Sequence, residues 1–190
     1  MRRRRFFGWV LPMVAGGHAL AAEASGRVRA DRIVLPPERR TSESPSGRFV
    51  LTVESRDGWR SRYALATLRL HDDAGPRMLW QKQLPHERGP RHLLVTDAGQ
   101  TVLVDEWINV PSRHALMLLA VDGTEMAHLG LDALVQLLGV PRRAVADHAR
   151  LGIWLSAPPM VAADGRSVRF EAAGRALLMN LSEGSVTARD

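Results

Sequence analysis

From Ser44 onward the chain is built of short runs in which apolar and polar residues alternate, each opened by a tight turn. Three segments share one form: Ser44-Pro45-Ser46-Gly47-Arg48-Phe49-Val50-Leu51, Val95-Thr96-Asp97-Ala98-Gly99-Gln100-Thr101-Val102-Leu103 and Ala162-Ala163-Asp164-Gly165-Arg166-Ser167-Val168-Arg169. In each, a turn ends in glycine, a polar residue follows, and a strand with period two begins. Glycine suits a turn position that needs positive φ. Further strands follow each copy. Tyr63 to Leu70 alternates, His71 to Gly75 turns, and Arg77 to Leu84 returns. His114 to Val121 runs into Asp122-Gly123, a strong hairpin signal, and Glu125 to Leu129 returns. Val168 to Ala172 meets Ala173-Gly174, Arg175 to Leu181 follows, and Ser182-Glu183-Gly184 turns toward a short last strand. The pattern predicts a mainly β protein of about three antiparallel repeat units, each with three to four strands.

One segment departs from period two. Leu131, Leu134, Val135 and Leu138 share a helical face, with Asp132 placed to cap, Gly139 to stop, and Pro141 to open a second turn through His148. We read Leu131 to Arg150 as a short helical insertion covering an edge or face of the sheets.

The N-terminus changes the setting of everything after it. Arg2 to Arg5 form a positive head, Phe6 to Ala22 an apolar middle, and Ala19-Leu20-Ala21 or Ala22-Glu23-Ala24 a small-x-small cleavage site, the order of a signal peptide. Residues 1–24 thus predict export to the periplasm or beyond, by general secretion rather than the twin-arginine route that Arg3-Arg4-Arg5-Phe6-Phe7 resembles. Pro12, His18 and three glycines make the run poor material for a membrane span. Residues 25–43, polar and broken by Pro36-Pro37, read as a linker with one short strand at Arg32 to Leu35. Folded structure is expected from Ser44.

Export also reframes charge. The whole chain carries 26 basic and 20 acidic residues; loss of residues 1–21 removes four arginines and no acid, leaving 22 against 20. That near-neutral chain shows no basic stripe with interleaved aromatics, so nucleic acid is not an expected partner, and a DNA-reading role for the helical segment falls with it. No cysteine is present, which excludes a lipobox, a disulfide and a thiolate metal site.

The Ser44-Pro45-Ser46-Gly47-Arg48-Phe49-Val50 stretch resembles the S-P-D-G-R-x-hydrophobic signature that opens blades of WD40-like and TolB-like β-propellers. The stretch Val95 to Trp107, with Leu116 to Gly123 and Leu131 to Leu134, looks like a group of uncharacterised exported bacterial proteins with blade-like repeats. The resemblance implies blade-type units, as a partial propeller or an open sandwich, in an extracytoplasmic setting. Complete propellers close with four to eight blades, and about three are counted here. Unclosed edges would be covered by the insertion and the linker, or copies would associate.

Candidate chemistry gathers at Asp105-Glu106-Trp107-Ile108-Asn109, where a strand gives way to a loop ending at Arg113. Two carboxylates beside an indole suit a sugar or cation site, yet neighbours on a strand point to opposite faces. His71, Asp72 and Asp73 fit an ordinary hairpin, and His86, His92, His114, His128 and His148 lack zinc-type spacing. No G-x-S-x-G elbow occurs. Trp59, Trp80 and Trp154 read as core. The sequence therefore predicts an exported, non-enzymatic β-repeat domain without cofactor or metal, binding an envelope protein or surface ligand through Asp105, Glu106, Trp107, Asn109 and Arg113. The alternative is an envelope hydrolase of glycans or esters using Asp105 and Glu106.

Overall fold

A computed structural model describes residues 34–189; the export signal read at Met1 to Ala24, and Arg32 and Ile33 of the short strand expected at Arg32 to Leu35, lie outside the described residues. The described chain folds into three four-stranded antiparallel sheets, each a meander in chain order, with two short helices between the second and third. The first sheet contains β1 (Arg39–Glu43), β2 (Phe49–Glu54), β3 (Tyr63–Asp72) and β4 (Gly75–Glu87). The middle sheet contains β5 (Pro90–Val95), β6 (Thr101–Glu106), β7 (Leu116–Leu119) and β8 (Glu125–Leu129). After α1 (Leu131–Leu138) and α2 (Arg142–His148), β9 (Ala157–Val161), β10 (Ser167–Ala172), β11 (Arg175–Asn180) and β12 (Val186–Arg189) form the third.

The three repeat turns occupy one position, joining the first strand of each sheet to the second. Gly47, Gly99 and Gly165 sit at φ +71°, +76° and +65°, and their N–H groups donate to the carbonyls of Ser44, Thr96 and Ala162 at 2.8, 2.9 and 2.8 Å. Their surroundings differ. A Cβ on Gly99 would lie 2.6 Å from Val121 and 2.7 Å from Phe49, whereas one on Gly165 would meet nothing within 4 Å. Gly165→Val is therefore expected to cost about 1 kcal/mol from backbone strain alone, and Gly99→Val clearly more, from strain plus collision. Chemical denaturation of the two variants checks the order; equal costs would show that the collision is absorbed.

The middle sheet is buried on both faces. Val102, Val104, Leu116 and Leu118 join Val168, Phe170, Leu177 and Met179 of the third sheet in one apolar cluster, while Leu103, Met117 and Leu119 join Leu51, Val53, Ala66 and Leu68 of the first in another. This is why β6 and β7 lose the alternation of a half-exposed strand and read as unbroken apolar runs. The far face of the first sheet bears Thr52, Thr67 and Gln81, with the Gln81 amide donating to Thr67 Oγ1 at 3.0 Å. That of the third bears Arg169, Glu171 and Asn180, with Arg169 and Glu171 ion-paired at 2.9 Å. Both ends of the stack are thus mostly polar, as capping repeats are.

Three expectations need correction. Folded structure starts before Ser44: β1 lies inside the stretch read as linker, and Val34 and Leu35 are not in a strand. Two indoles hold that stretch down, Trp59 Nε1 donating to the Pro36 carbonyl at 2.9 Å and Trp107 Nε1 to that of Val34 at 2.8 Å. Ala157-Pro158-Pro159, which none of the expected strands includes, opens β9, an edge strand where missing N–H groups cost nothing. Asp132 does not cap α1; Gly130 holds the cap position and Asp132 lies in the first turn, while Gly139 ends the helix in the left-handed region at φ +62°. Leu131, Leu134 and Leu138, with Val145 of α2, enter the cluster between the middle and third sheets. Trp59, Trp80 and Trp154 are core, as expected.

Candidate functional site

The β6–β7 connection begins with a break in the ladder. Asp105 has φ +57°, a left-handed conformation that aspartate tolerates better than most residues. Its carboxylate turns inward, accepting the N–H of Glu106 at 3.1 Å and that of Ile153 at 3.2 Å, and only 1% of the residue is exposed. Gly152 makes this possible: it has φ +102°, and a Cβ there would collide with the Asp105 carboxylate and crowd Arg91. Burial pushes the Asp105 carboxyl up to about 6 against the opposing pull of the Ile153 and Glu106 N–H groups and of Arg91. Glu106 is bound by other segments, its Oε2 accepting the Glu87 N–H at 3.0 Å and its Oε1 the Ser112 hydroxyl at 2.7 Å. Ser112 in turn accepts the His114 N–H at 2.8 Å, and its carbonyl accepts the Leu131 N–H at 3.0 Å. Both acids therefore tie the start of the loop to neighbouring segments and do not face solvent together.

Beyond them the chain comes to the surface. Trp107 is half-buried and lies under two guanidiniums, Arg40 at 4.9 Å and Arg91 at 5.7 Å from the ring centre. Arg91 also donates to the Trp107 carbonyl and, at 2.6 Å, to Asn109 Oδ1. Asn109, Val110 and Pro111 form an exposed tip. Arg113 is exposed on the return limb, and no hydrogen bond or ion pair among the described residues joins its side chain to the others. Of the five residues expected at the site, Trp107 and Asn109 are gathered by Arg91, Asp105 and Glu106 are closed inside, and Arg113 stands apart.

Spacing along the chain gave no sign of a second cluster. His86 from β4, His114 from the loop and His128 from β8 converge. His114 Nδ1 and His128 Nε2 are 2.8 Å apart, the distance of an N–H···N bond, in rings whose planes differ by 20°, and His128 Nδ1 lies 3.3 Å from Glu125. His86 is fully buried, 5.5 Å from the His114 ring, with no hydrogen-bond partner at either nitrogen. Desolvation, and then the neighbouring His114 and His128, push it down to about 3, opposed only weakly by the His114 backbone. Among the described residues no group of three or more His, Asp or Glu is arranged to hold a metal ion. Here the facing nitrogens of His114 and His128 address each other instead of a common point.

A groove of about 970 Å³ lies by the turns at the opposite end of the strands from the Asp105 loop, along Gln100, Val121, Met126, Arg166 and Leu178. No helix of the described residues is long and apolar enough to cross a membrane. Compared with protein-family models and with curated proteins, the chain matches none.

Proposed function

We propose that the protein is an exported, non-enzymatic binding domain whose β6–β7 loop, residues 107 to 113, recognises an envelope protein or surface ligand. The observation that carries this reading is the division of the loop. Its acids are closed off as buried acceptors, while Asn109, Val110 and Pro111 stand exposed beside an indole that two arginines contact. Aromatic and arginine anchors on a rigid scaffold are where recognition energy concentrates. The signal-like N-terminus supports an extracytoplasmic setting. The four-strand meanders and their equivalent turns favour blades of the WD40-like or TolB-like type, stacked as an open array of three.

The test is capture of partners from an envelope fraction. Trp107→Ala and Arg113→Ala are each expected to reduce capture about tenfold or more, whereas Arg77→Ala, on β4, leaves it unchanged. Because Trp107 also ties down Val34, a thermal melt precedes each assay. Undiminished capture by folded Trp107→Ala and Arg113→Ala would remove the loop as the recognition surface.

A further inference from the structure

We propose that the cleft where β1, β5 and β9 converge binds a small ligand bearing an oxyanion, a carboxylate or a phosphate, held between Arg40 and Arg91. The cleft encloses about 450 Å³ and is walled by Arg40 and Ser42 of β1, Arg91, His92 and Leu93 of β5, and Pro159 of β9. It adjoins the exposed loop tip and shares Arg91 with it, but anion binding and partner capture are read by different measurements, so it stands whether or not the tip recognises a partner.

The argument begins with two half-buried cations side by side. Arg40 donates to the carbonyls of Pro90 and, at 3.1 Å, Arg91; Arg91 donates to the Trp107 carbonyl and to Asn109 Oδ1. Every one of these acceptors is neutral. Neither guanidinium makes an ion pair with a carboxylate among the described residues, although Arg39, next in the chain, pairs with Glu54. Asp105 attracts Arg91 from inside the loop, but its oxygens are taken by the N–H groups of Glu106 and Ile153. Burial, and then the charge on Arg91, bring Arg40 down to about 10, as expected for like charges forced together out of water. A single oxyanion between the two would relieve both.

The cleft is also prepared for such a ligand. Both guanidiniums are fixed against the Trp107 ring, so little side-chain freedom remains to be lost on binding. A planar guanidinium fork matches carboxylate and phosphate oxygens. Leu93, Leu94, Pro158 and Pro159 supply an apolar wall. Small polar ligands take concave sites where a few charged and polar groups converge beside an apolar wall.

The enclosed Nε–H groups of Arg40 and Arg91 provide the readout. Their proton–nitrogen NMR signals are followed while inorganic phosphate, and in a second arm acetate, is added at constant ionic strength. Saturable shifts of these two signals are expected. Phosphate alone saturating them assigns a phosphate ligand, acetate alone a carboxylate. Arg91→Gln and Arg40→Gln should each weaken the apparent affinity about tenfold or more, and Arg77→Gln should leave it unchanged. Backbone amide spectra report folding, and if Arg91→Gln is unfolded, Arg40→Gln carries the comparison. Failure of both anions to saturate the parent signals, or saturation that survives the folded arginine variants, overturns the proposal.

Discussion

Acidification from pH 7 toward pH 4 is expected to destabilise this protein by several kcal/mol through His86, and His86→Leu is expected to remove that loss. The ring is fully buried without a partner and held neutral, with its proton affinity pushed down to about 3 from the usual 6.5. Between those values the unfolded chain binds a proton that the folded chain refuses. Stability from this group is therefore complete above pH 6.5 and falls as pH drops toward 3, by about 1.4 kcal/mol per unit. The total is on the order of 3 to 5 kcal/mol, a large share of the roughly 5 to 15 kcal/mol that holds a typical domain folded. Asp105 acts with the opposite sign. Its carboxyl is raised to about 6 in the folded state, so folding gains as pH falls from 6 toward 3.8. In the parent the two slopes offset one another in part; in His86→Leu the Asp105 gain is opposed only by His92 and His114, whose proton affinities burial also lowers, so the loss on mild acidification should shrink markedly. Leucine also removes two unpartnered nitrogens, so the variant should remain close to the parent at pH 7. Urea midpoints between pH 7.5 and 4 decide the matter. A variant that keeps the parent's acid loss would place the sensitive group elsewhere.

The second large effect is expected at Trp154. This indole is fully buried in the cluster between the middle and third sheets, its ring centre 5.7 Å from that of Phe170. Trp154→Ala should cost about 3 to 5 kcal/mol, lowering Tm by roughly 10 °C or more at this chain length. Trp154→Phe should cost far less, about 1.5 kcal/mol or below. Much of the ring volume remains, and the Nε1 hydrogen has no partner to lose. Thermal melts of the two variants separate packing from polar loss: a phenylalanine as damaging as alanine would mean that the indole N–H matters.

What could be read along the chain, and what could not, follows the sheets strand by strand. The alternating strands β2, β3, β10 and β11, and the turns that precede β6 and β8, announce themselves by period and by glycine. The first strand of each sheet does not. Arg39–Glu43, Pro90–Val95 and Ala157–Val161 are edge strands with a ladder on one side only, so prolines and charges are tolerated and the apolar rhythm is lost. Arg40, Arg91 and His92 ride on those strands, which is why the cleft they line left no trace in the sequence. Asp105 and Glu106 were placed correctly at a strand end. Their inward turn depends on a positive φ at a non-glycine residue and on Gly152, far along the chain, and no local pattern encodes that. The histidine trio comes from three separate segments and has no spacing to detect.

The double burial of the middle sheet also dictates an order of assembly. As the chain emerges from its N-terminal end, the first sheet is complete at Glu87 but its apolar face stays bare until β8 closes at Leu129. Docking the middle sheet then uncovers a fresh apolar face, Val102, Val104, Leu116 and Leu118, which waits for the helices and for strands ending at Arg189. A nascent or truncated chain stopped after residue 129 would carry that face into solution as a sticky half-product, whereas the helices and the third sheet cover it. Folding and shielding are thus completed together by residues 131 to 189, and a holding chaperone would be needed most just before they arrive.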